Sequence, residues 1–456
     1  MNRNSKSIYM EPIARKYAHN YLRYEPDIVF LHVNHDLNDI IAFHNMISGY
    51  FSESVFLTIP YTIGKLEYQR KVGSCENQYE IYRDDTGYYI CRDGKIVCDT
   101  GSSLQVQMRD MFAVALDVIY KDLKGKKLLI LEDGGYHYSA FEEIKNYFPG
   151  LGKMITGCVE QTRNGIRAYS NCIKKYKLNY PVVTVARSRI KMGIEAYYIA
   201  NSAVELTDEF LKMIGENLYG RDTLIIGYGA IGRSLSRILE TYKCRQRIIE
   251  IDEDISEVAR EEGKICVDAV DRNSFERETV LIGTTGNASF SGEMLTSFLY
   301  SDSCTLTLVS ISSKQMEFQK FYFCLSDYKY DETDICIGDY YLGKTYEIYF
   351  EGRKKSIRVF ANGYPINFFC KWKKSLPESV IDMIYAEMIY SLKVILDSDI
   401  HLENQLYMMG DKYPFFEYIE EEILREWDKP DVISTGKQEG HFFNCHPREE
   451  YLRHCF

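Results

Sequence analysis

Short apolar runs alternate along most of the chain with segments in which apolar residues recur at helical spacing. The runs predict buried strands, and the spaced segments predict amphipathic helices. The predicted strands cover residues 27–33, 54–59, 127–131, 153–159, 182–186, 223–226 and 279–282, and the predicted helices include 36–50, 102–121, 140–148, 201–218 and 375–396. Because strands and helices alternate, the pattern predicts an α/β fold.

Two segments depart from this alternation. Residues 75–100 and residues 320–369 contain short strand-like stretches with many tyrosines, separated by turn residues. Such runs are typical of antiparallel strands joined by tight turns. We interpret both segments as β-rich insertions in the α/β frame.

Length and composition narrow the class of protein. A chain of 456 residues, 45% hydrophobic and 27% charged, is long enough for two or three globular domains. No apolar run approaches the roughly 18 residues that a membrane helix needs. The amino-terminal segment lacks the apolar centre of a signal peptide, so a cytoplasmic location without membrane contact is expected.

Charge and cysteine usage argue against two kinds of partner. The formal net charge is −11, and basic residues form only short patches, so a nucleic-acid partner is not expected. The 13 cysteines are scattered without a CxxC pair, which indicates reduced thiols. His32, His35 and His44 lie near one another in sequence, but no third ligand has a characteristic spacing. We therefore expect no metal.

The segment 223–232 carries the most specific motif. An apolar strand runs into the pattern GxGxxG, and a predicted helix follows. This order of elements is typical of the loop that binds the pyrophosphate of a dinucleotide, with backbone N–H groups at the helix start facing the phosphates. The predicted loop residues are Gly227, Gly229, Ala230, Ile231 and Gly232.

Two further features fit a dinucleotide site. Glu250 ends the next predicted strand, about twenty residues after the glycines, where an acidic residue binds the ribose hydroxyls of NAD and disfavours the 2′-phosphate of NADP. A third strand ends in small polar residues of the type that line the cofactor crevice, namely Thr284, Thr285, Gly286 and Asn287. The alternative is a set of glycine-rich polar turns without a cofactor.

Motifs along most of the chain resemble those of the S-adenosylhomocysteine hydrolase family. Besides GYGAIG, EID and TTGN, the segment LEDGG at 131–135 resembles the family's LDDGGD, and GCVEQTRNG at 157–165 resembles GxSEETTTG. VARSRIKMGIEA at 185–196 resembles VNDSxTKxxFDN, LHV at 31–33 resembles LHM, and NGYPIN at 362–367 resembles xGRLVN. The motifs follow the family's order.

The resemblance implies an architecture and an activity. It implies a Rossmann NAD-binding domain over 198–372, inserted in an α/β substrate domain made of 1–197 and 373–456. It also implies an NAD-dependent enzyme of one-carbon metabolism that transiently oxidises a ribose hydroxyl of a nucleoside-like small molecule. A homo-oligomer is a further expectation from the family.

The resemblance also assigns roles to residues. Lys191 is expected beside the ribose 3′-hydroxyl, Asp133 near the C4′ proton and His32 near the leaving group, and Glu195 replaces an aspartate of the catalytic set. Two residues are expected to touch the cofactor: Thr162, and Asn367 near the nicotinamide.

Several substrate-reading positions differ from the family pattern. Gln161 stands where the family has glutamate, Ala196 where it has asparagine, and Ser313 where it has histidine. These changes predict altered substrate specificity, because a site with mismatched polar groups discriminates against the original substrate. The alternative is a non-catalytic NAD-binding relative that acts as a sensor or scaffold. A plain hydroxy-acid dehydrogenase lacks support, since we find no Arg–His pair at that family's positions.

Overall fold

The fold is described by a computed structural model that covers most of the chain. The described residues fall into two compact units: 12–195 with 376–427, and 196–369. Ser313, Ser375 and the tail after residue 427 lie outside the described residues. These are 12–35, 37–59, 70–75, 79–84, 87–92, 95–99, 104–120, 123, 125–312, 317–338, 340–369 and 376–427.

The first unit is built on a sheet whose central strands are parallel and apolar. Its strands run in the order β17-β9-β8-β7-β1-β2-β3-β4-β5-β6, and all pairs from β17 to β2 are parallel. The parallel strands are β1 (Glu25–His35), β2 (Phe51–Ile59), β7 (Lys127–Glu132), β8 (Ile155–Glu160), β9 (Val182–Thr184) and β17 (Leu406–Met408).

The helices of the first unit connect or cover these strands. They are α1 (Pro12–Tyr21), α2 (Asn38–Ser48), α3 (Leu104–Ile119), α4 (Tyr136–Ile144), α5 (Leu151–Met154), α6 (Arg163–Ile173), α12 (Glu378–Leu396) and α13 (Ile419–Trp427). Helix α4 begins directly after Gly135, a residue with φ +65°, four residues earlier than the predicted start. A π-helical segment, Ile190–Glu195, follows β9.

The expected β-rich segments are both present. In the first unit, β3 (Arg70–Cys75), β4 (Tyr79–Asp84), β5 (Gly87–Arg92) and β6 (Lys95–Asp99) form an antiparallel meander that extends the sheet beyond β2. In the second unit, β14 (Tyr330–Ile337), β15 (Tyr340–Phe350) and β16 (Arg353–Phe360) are antiparallel to one another. Both segments thus add strands to an existing parallel sheet.

The second unit has a parallel sheet of Rossmann-like topology with the order β11-β10-β12-β13-β16-β15-β14. Its remaining strands are β10 (Asp222–Ile226), β11 (Arg245–Ile249), β12 (Thr279–Gly283) and β13 (Thr305–Ser310). Its helices are α7 (Ala196–Met213), α8 (Ala230–Thr241), α9 (Glu253–Glu261), α10 (Gly292–Tyr300) and α11 (Gln319–Leu325). The predicted α/β fold class is confirmed.

Helices cover both faces of this second sheet. Ile225 packs in a core with residues of α7 and α8, whereas its neighbours Leu224 and Ile226 pack in another with residues of α10 and α11. Successive residues of a strand point to opposite faces, so a strand buried on both sides must be apolar throughout. This requirement explains the continuous apolar run that predicted β10.

The helix predicted over 201–218 lies five residues earlier, as α7. It continues directly from the π-helical segment Ile190–Glu195, and the chain leaves it before Gly215, whose φ is +83°. The N–H of Leu218 donates instead to the Asp208 carboxylate, at 2.9 Å. Among the described helices, none is both long and apolar enough to cross a membrane.

The carboxylate of Asp382, on α12, holds the start of α1. It accepts the backbone N–H groups of Ile13 at 3.0 Å and Ala14 at 2.9 Å, and it is 1% exposed. The first N–H groups of a helix have no partner within the helix, so a buried carboxylate there satisfies donors that would otherwise be unpaired. This contact joins segments 368 and 369 positions apart in the sequence.

We expect Asp382→Ala to lower the free energy of unfolding by about 2–3 kcal/mol, because it leaves two buried N–H groups without an acceptor. Urea denaturation at neutral pH measures this change. Arg15→Ala, at an exposed position of α1, is the matched control and is expected to change the free energy by less than about 0.5 kcal/mol. Equal stability of Asp382→Ala and the wild type would show that the capping contact is not stabilising.

Candidate functional site

The glycine loop of the second unit has no room for side chains at two of its glycines. Gly227 has φ +98°, and a Cβ there would lie 2.7 Å from Thr284 Oγ1. A Cβ on Gly232 would overlap the carbonyl oxygen of Gly227. The loop between β10 and α8 therefore needs glycine both for its backbone conformation and for the close packing of helix on strand.

Helix α8 begins without a side-chain cap. Its N-cap residue is Gly229, so Ala230, Ile231 and Gly232 form the first turn with no side chain over it. The N–H groups of a first helical turn point outward and carry the positive end of the helix dipole. The second unit thus presents a bare helix start, the feature that binds phosphate groups in dinucleotide folds.

Glu250 is tied to this loop. Its carboxylate accepts the backbone N–H of Tyr228 at 2.6 Å and that of Asp252 at 3.0 Å. The Tyr228 hydroxyl donates to Glu262 at 2.6 Å, which fixes the loop from its other side. The predicted ribose-binding acid therefore lies beside the glycine loop, held in place by backbone donors.

The loop after β12 lies against the glycine loop and is organised by a residue that sequence reasoning missed. Thr284 contacts the carbonyl oxygens of Ile226 and Gly227, at 3.1 and 3.0 Å. The buried carboxylate of Glu317 accepts the N–H of Gly286 at 2.7 Å and the hydroxyl of Thr285 at 3.0 Å. The loop that continues to Asn287 is thus held by a carboxylate thirty residues downstream.

Asn367 lies in a short 3-10 turn, Ile366–Phe369, of the second unit. Its side chain is 4% exposed, and its Oδ1 has no hydrogen-bond partner among the described residues. A buried amide oxygen without a donor is rare in proteins and suggests that a ligand group completes its hydrogen bonding. The position agrees with the expectation that Asn367 contacts a cofactor, which stays a prediction.

In the first unit, the fully buried carboxylate of Glu160 organises the loop after β7. It accepts the N–H groups of Gly134, Gly135 and Thr162, at 3.1, 2.9 and 2.7 Å, and the Thr162 hydroxyl at 2.7 Å. A Cβ on Gly165 would collide with it. Burial, with Glu132 and Asp133 nearby, raises the pKa of Glu160. Glu160 is therefore committed to the loop and does not replace the glutamate that Gln161 lacks.

Asp133 is the residue that this loop presents. Its Oδ2 accepts the Gln161 amide at 2.5 Å, and the Nε2 of His35 lies 3.9 Å away. Asp133 is 8% exposed. Gln161 thus contacts the predicted C4′-side carboxylate directly, a role that its position in the motif did not reveal.

Lys191 and Glu195 form an ion pair at 2.7 Å in the π-helical segment. Burial raises the pKa of Glu195, the positive charge of Lys191 opposes this, and the negative charge of Asp133 adds to it. Three predicted catalytic residues of the first unit therefore interact electrostatically. Ser188, which binds the N–H of Lys191 at 3.1 Å, donates its hydroxyl to the buried Glu387 at 2.9 Å.

His32 lies in an aromatic cluster on β1. Its Nε2 accepts the Asn34 amide at 3.3 Å, and its ring lies 5.5 Å from that of His44, centroid to centroid. Burial lowers the pKa of His32, and the nearby His44 adds to this effect. Both histidines are thus held neutral, the form in which an imidazole can accept a proton.

Comparison with known proteins gives only distant similarity. No protein-family model matches the sequence. One of the dipicolinate synthase polypeptides of Bacillus halodurans aligns over 80% of this chain and 99% of its own, with 10% identity and a TM-score of 0.35. The pyruvate reductase of Chlamydomonas reinhardtii aligns over 66% and 74%, with 11% identity and a TM-score of 0.34.

Salmonella D-lactate dehydrogenase aligns over 65% of this chain and 75% of its own, with 13% identity and a TM-score of 0.34. Scores and identities of this size carry no argument about activity. The resemblance to S-adenosylhomocysteine hydrolase accordingly rests on the sequence motifs, and the function is argued below from the residues.

The neutral histidines predict a loss of stability in weak acid. Burial lowers the pKa of His44 from 6.5 to about 4. Between these values the unfolded chain takes up a proton and the folded chain does not, so stability falls as the pH decreases from 6.5 to 4. We expect His44→Phe to reduce the loss of unfolding free energy between pH 7 and pH 5 by about 2 kcal/mol.

Urea denaturation at the two pH values measures this difference. His401→Gln is the control, because His401 is exposed and its replacement is expected to leave the pH dependence unchanged. If His44→Phe showed the same pH dependence as the wild type, the histidine would not be held neutral by burial.

Proposed function

We propose that the protein is an NAD-dependent enzyme of the S-adenosylhomocysteine hydrolase type. It would oxidise a ribose-like hydroxyl transiently and then cleave or modify a nucleoside-like or thioether-like substrate. The observation that carries the proposal is the glycine loop between β10 and α8, which admits no side chains at Gly227 and Gly232 and is tied to Glu250. Side chains of the first unit supply the acid–base groups.

The residues of the second unit fit a dinucleotide. The first turn of α8, with Gly229 as its N-cap, offers N–H groups to a pyrophosphate. Glu250 offers a carboxylate to ribose hydroxyls, which favours NAD over NADP. Asn367 offers an amide oxygen that lacks a partner among the described residues. When bound, NAD supplies an acceptor for the hydride of the substrate carbon.

The Lys191–Glu195 pair is suited to accept the hydroxyl proton. An ammonium group cannot act as a base, but burial raises the pKa of Glu195, which favours transfer of a proton from Lys191 to its partner. Lys191 is then a neutral amine that can take a proton from a substrate hydroxyl. The short contact of 2.7 Å between Nζ and Oε1 provides the path for this transfer.

Asp133 and His32 are proposed for the steps at neighbouring carbons. Asp133 offers a carboxylate for the proton beside the oxidised carbon, and neutral His32 offers an imidazole for the leaving group. The Gln161 amide, at 2.5 Å, orients Asp133 and removes one negative charge relative to the family pattern. We therefore propose that the substrate differs from that of the family.

The cofactor can be tested on the purified protein. Denaturation followed by chromatography of the supernatant measures released NAD and NADH. We expect near-stoichiometric dinucleotide, some of it reduced, or stoichiometric binding of added NAD. Protein that releases none and binds none would contradict the proposal at its first step.

Substitution of Glu250 tests the choice of dinucleotide. We expect Glu250→Ala to weaken NADH binding by about 10- to 100-fold, since a hydrogen bond to a charged group contributes about 1.5–3 kcal/mol. The preference over NADPH is expected to disappear with it. Fluorescence titration with both dinucleotides measures these affinities. Glu253→Ala, at an exposed position of α9, is the control and should bind as the wild type does.

Substitution of Lys191 tests the chemistry separately from cofactor binding. A panel of nucleosides and thioether nucleosides is added to the NAD-loaded protein, and the absorbance of bound NADH is followed. With a substrate that gives this signal, we expect Lys191→Met to slow its appearance by at least about 100-fold while the NAD content stays unchanged. Lys174→Met, at an exposed position, should behave as the wild type. An unaltered rate would remove Lys191 from the mechanism.

A second candidate function is a non-catalytic NAD-binding sensor or scaffold. The hydrogen bond between Gln161 and Asp133 favours it, because that carboxylate already has a partner in the position where a substrate would be expected. The same panel separates the two functions. NADH formation with any member supports the enzyme, whereas bound NAD that no member reduces supports the sensor.

A further inference from the structure

Four polar side chains meet in the core of the first unit, behind the loop that presents Asp133. They are Glu132 at the end of β7, His137 in α4, Cys158 in β8 and Tyr169 in α6. All four are 0% exposed. The carboxylate, imidazole and thiol each offer one ligand atom, and these atoms all lie within 4.8 Å of one another.

The hydroxyl of Tyr169 completes the set. It lies 3.1 Å from His137 Nδ1, 3.2 Å from Cys158 Sγ and 3.3 Å from Glu132 Oε2. A tetrahedral site with bonds of about 2.0–2.3 Å has ligand–ligand distances of roughly 3.3–3.7 Å. The three contacts of Tyr169 are close to this range. Glu132 Oε2 and His137 Nδ1, at 2.5 Å, would have to separate by roughly 0.8 Å to admit an ion.

Outer hydrogen bonds already orient two of these groups. The other ring nitrogen of His137, Nε2, lies 2.8 Å from the Tyr180 hydroxyl. The other oxygen of Glu132, Oε1, accepts the N–H groups of Tyr136 and His137, at 2.6 and 2.8 Å. Metal-bound histidines and carboxylates are typically held in this way, with one atom on the metal and the other on a protein partner.

We propose that Glu132, His137, Cys158 and Tyr169 bind one Zn²⁺ ion in a closed, structural site. Zinc is the divalent cation that most often takes mixed nitrogen, oxygen and sulfur ligands in tetrahedral geometry. The sequence analysis expected no metal, because these four positions have no characteristic spacing. The proposal is independent of the proposed function, since no step of that reaction requires the ion.

The protons and charges balance when the ion binds. Cys158 releases its thiol proton to solvent and becomes a thiolate. His137 carries its proton on Nε2, which donates to Tyr180, and leaves Nδ1 free for the ion. Tyr169 keeps its proton and binds through the hydroxyl oxygen. The thiolate and the Glu132 carboxylate then neutralise Zn²⁺, so the buried site has no net charge.

The alternative is a metal-free hydrogen-bond network of the same groups. In that state burial raises the pKa of Cys158 and of Tyr169, so that both stay neutral. Metal analysis distinguishes the two states directly. The site is fully buried and lacks an open position, so the ion is expected to stabilise the fold and to take no part in catalysis.

The first experiment measures zinc, iron, manganese and copper in the full-length purified protein by mass spectrometry. We expect about one zinc ion per chain, and loss of the ion to a strong chelator should lower the melting temperature. Co²⁺ added to the chelator-treated protein should give the thiolate charge-transfer band of a tetrahedral site. Zinc below about 0.1 per chain together with no cobalt band would overturn the proposal, and stoichiometric iron would overturn the choice of zinc.

A variant locates the ion. Cys158→Ser is expected to reduce bound zinc at least about tenfold and to abolish the cobalt band. Cys172→Ser, in the same unit and only partly buried, should keep both. Zinc retained by Cys158→Ser would place the ion elsewhere. If Cys158→Ser does not fold, the metal content and cobalt spectrum of the wild type still decide the question.

Discussion

The buried carboxylate of Glu160 determines the shape of the candidate catalytic loop. An ionised group without solvent must be surrounded by donors, and this one accepts three backbone N–H groups and a hydroxyl. Those donors belong to the loop after β7 and to the start of α6, so one side chain fixes both. The direction in which Asp133 points, and its contact with Gln161, follow from this arrangement.

Neighbouring carboxylates make the same region electrostatically demanding. Glu132, Asp133 and Glu160 lie close enough to raise the pKa of Glu160, and Asp133 also acts on Glu195. Lys191 is the cation paired with Glu195. A cation among several buried carboxylates lowers the cost of keeping them ionised. The pair therefore has a part in the stability of the fold as well as in the proposed chemistry.

Local patterns allowed much of the fold to be predicted. The β10–α8 loop was predictable because its glycines answer to packing within a few residues, and β10 because both of its faces are buried. The start of α7 was not, since it depends on a π-helical segment that has no pattern of its own. Glu317, Glu387 and the group around His137 were missed because their partners lie far away in sequence, and only the folded chain brings them together.

Asp382 has a consequence for the order in which the chain folds during synthesis. The second unit is one continuous stretch, 196–369, whereas the first needs α12 and β17 from its far end. On the ribosome, the second unit can therefore complete its sheet while α1 still lacks its capping carboxylate and β9 its outer neighbour. The amino-terminal half must remain incomplete until about 200 further residues have been made, an interval in which its open β9 edge is exposed to chaperones and to other nascent chains.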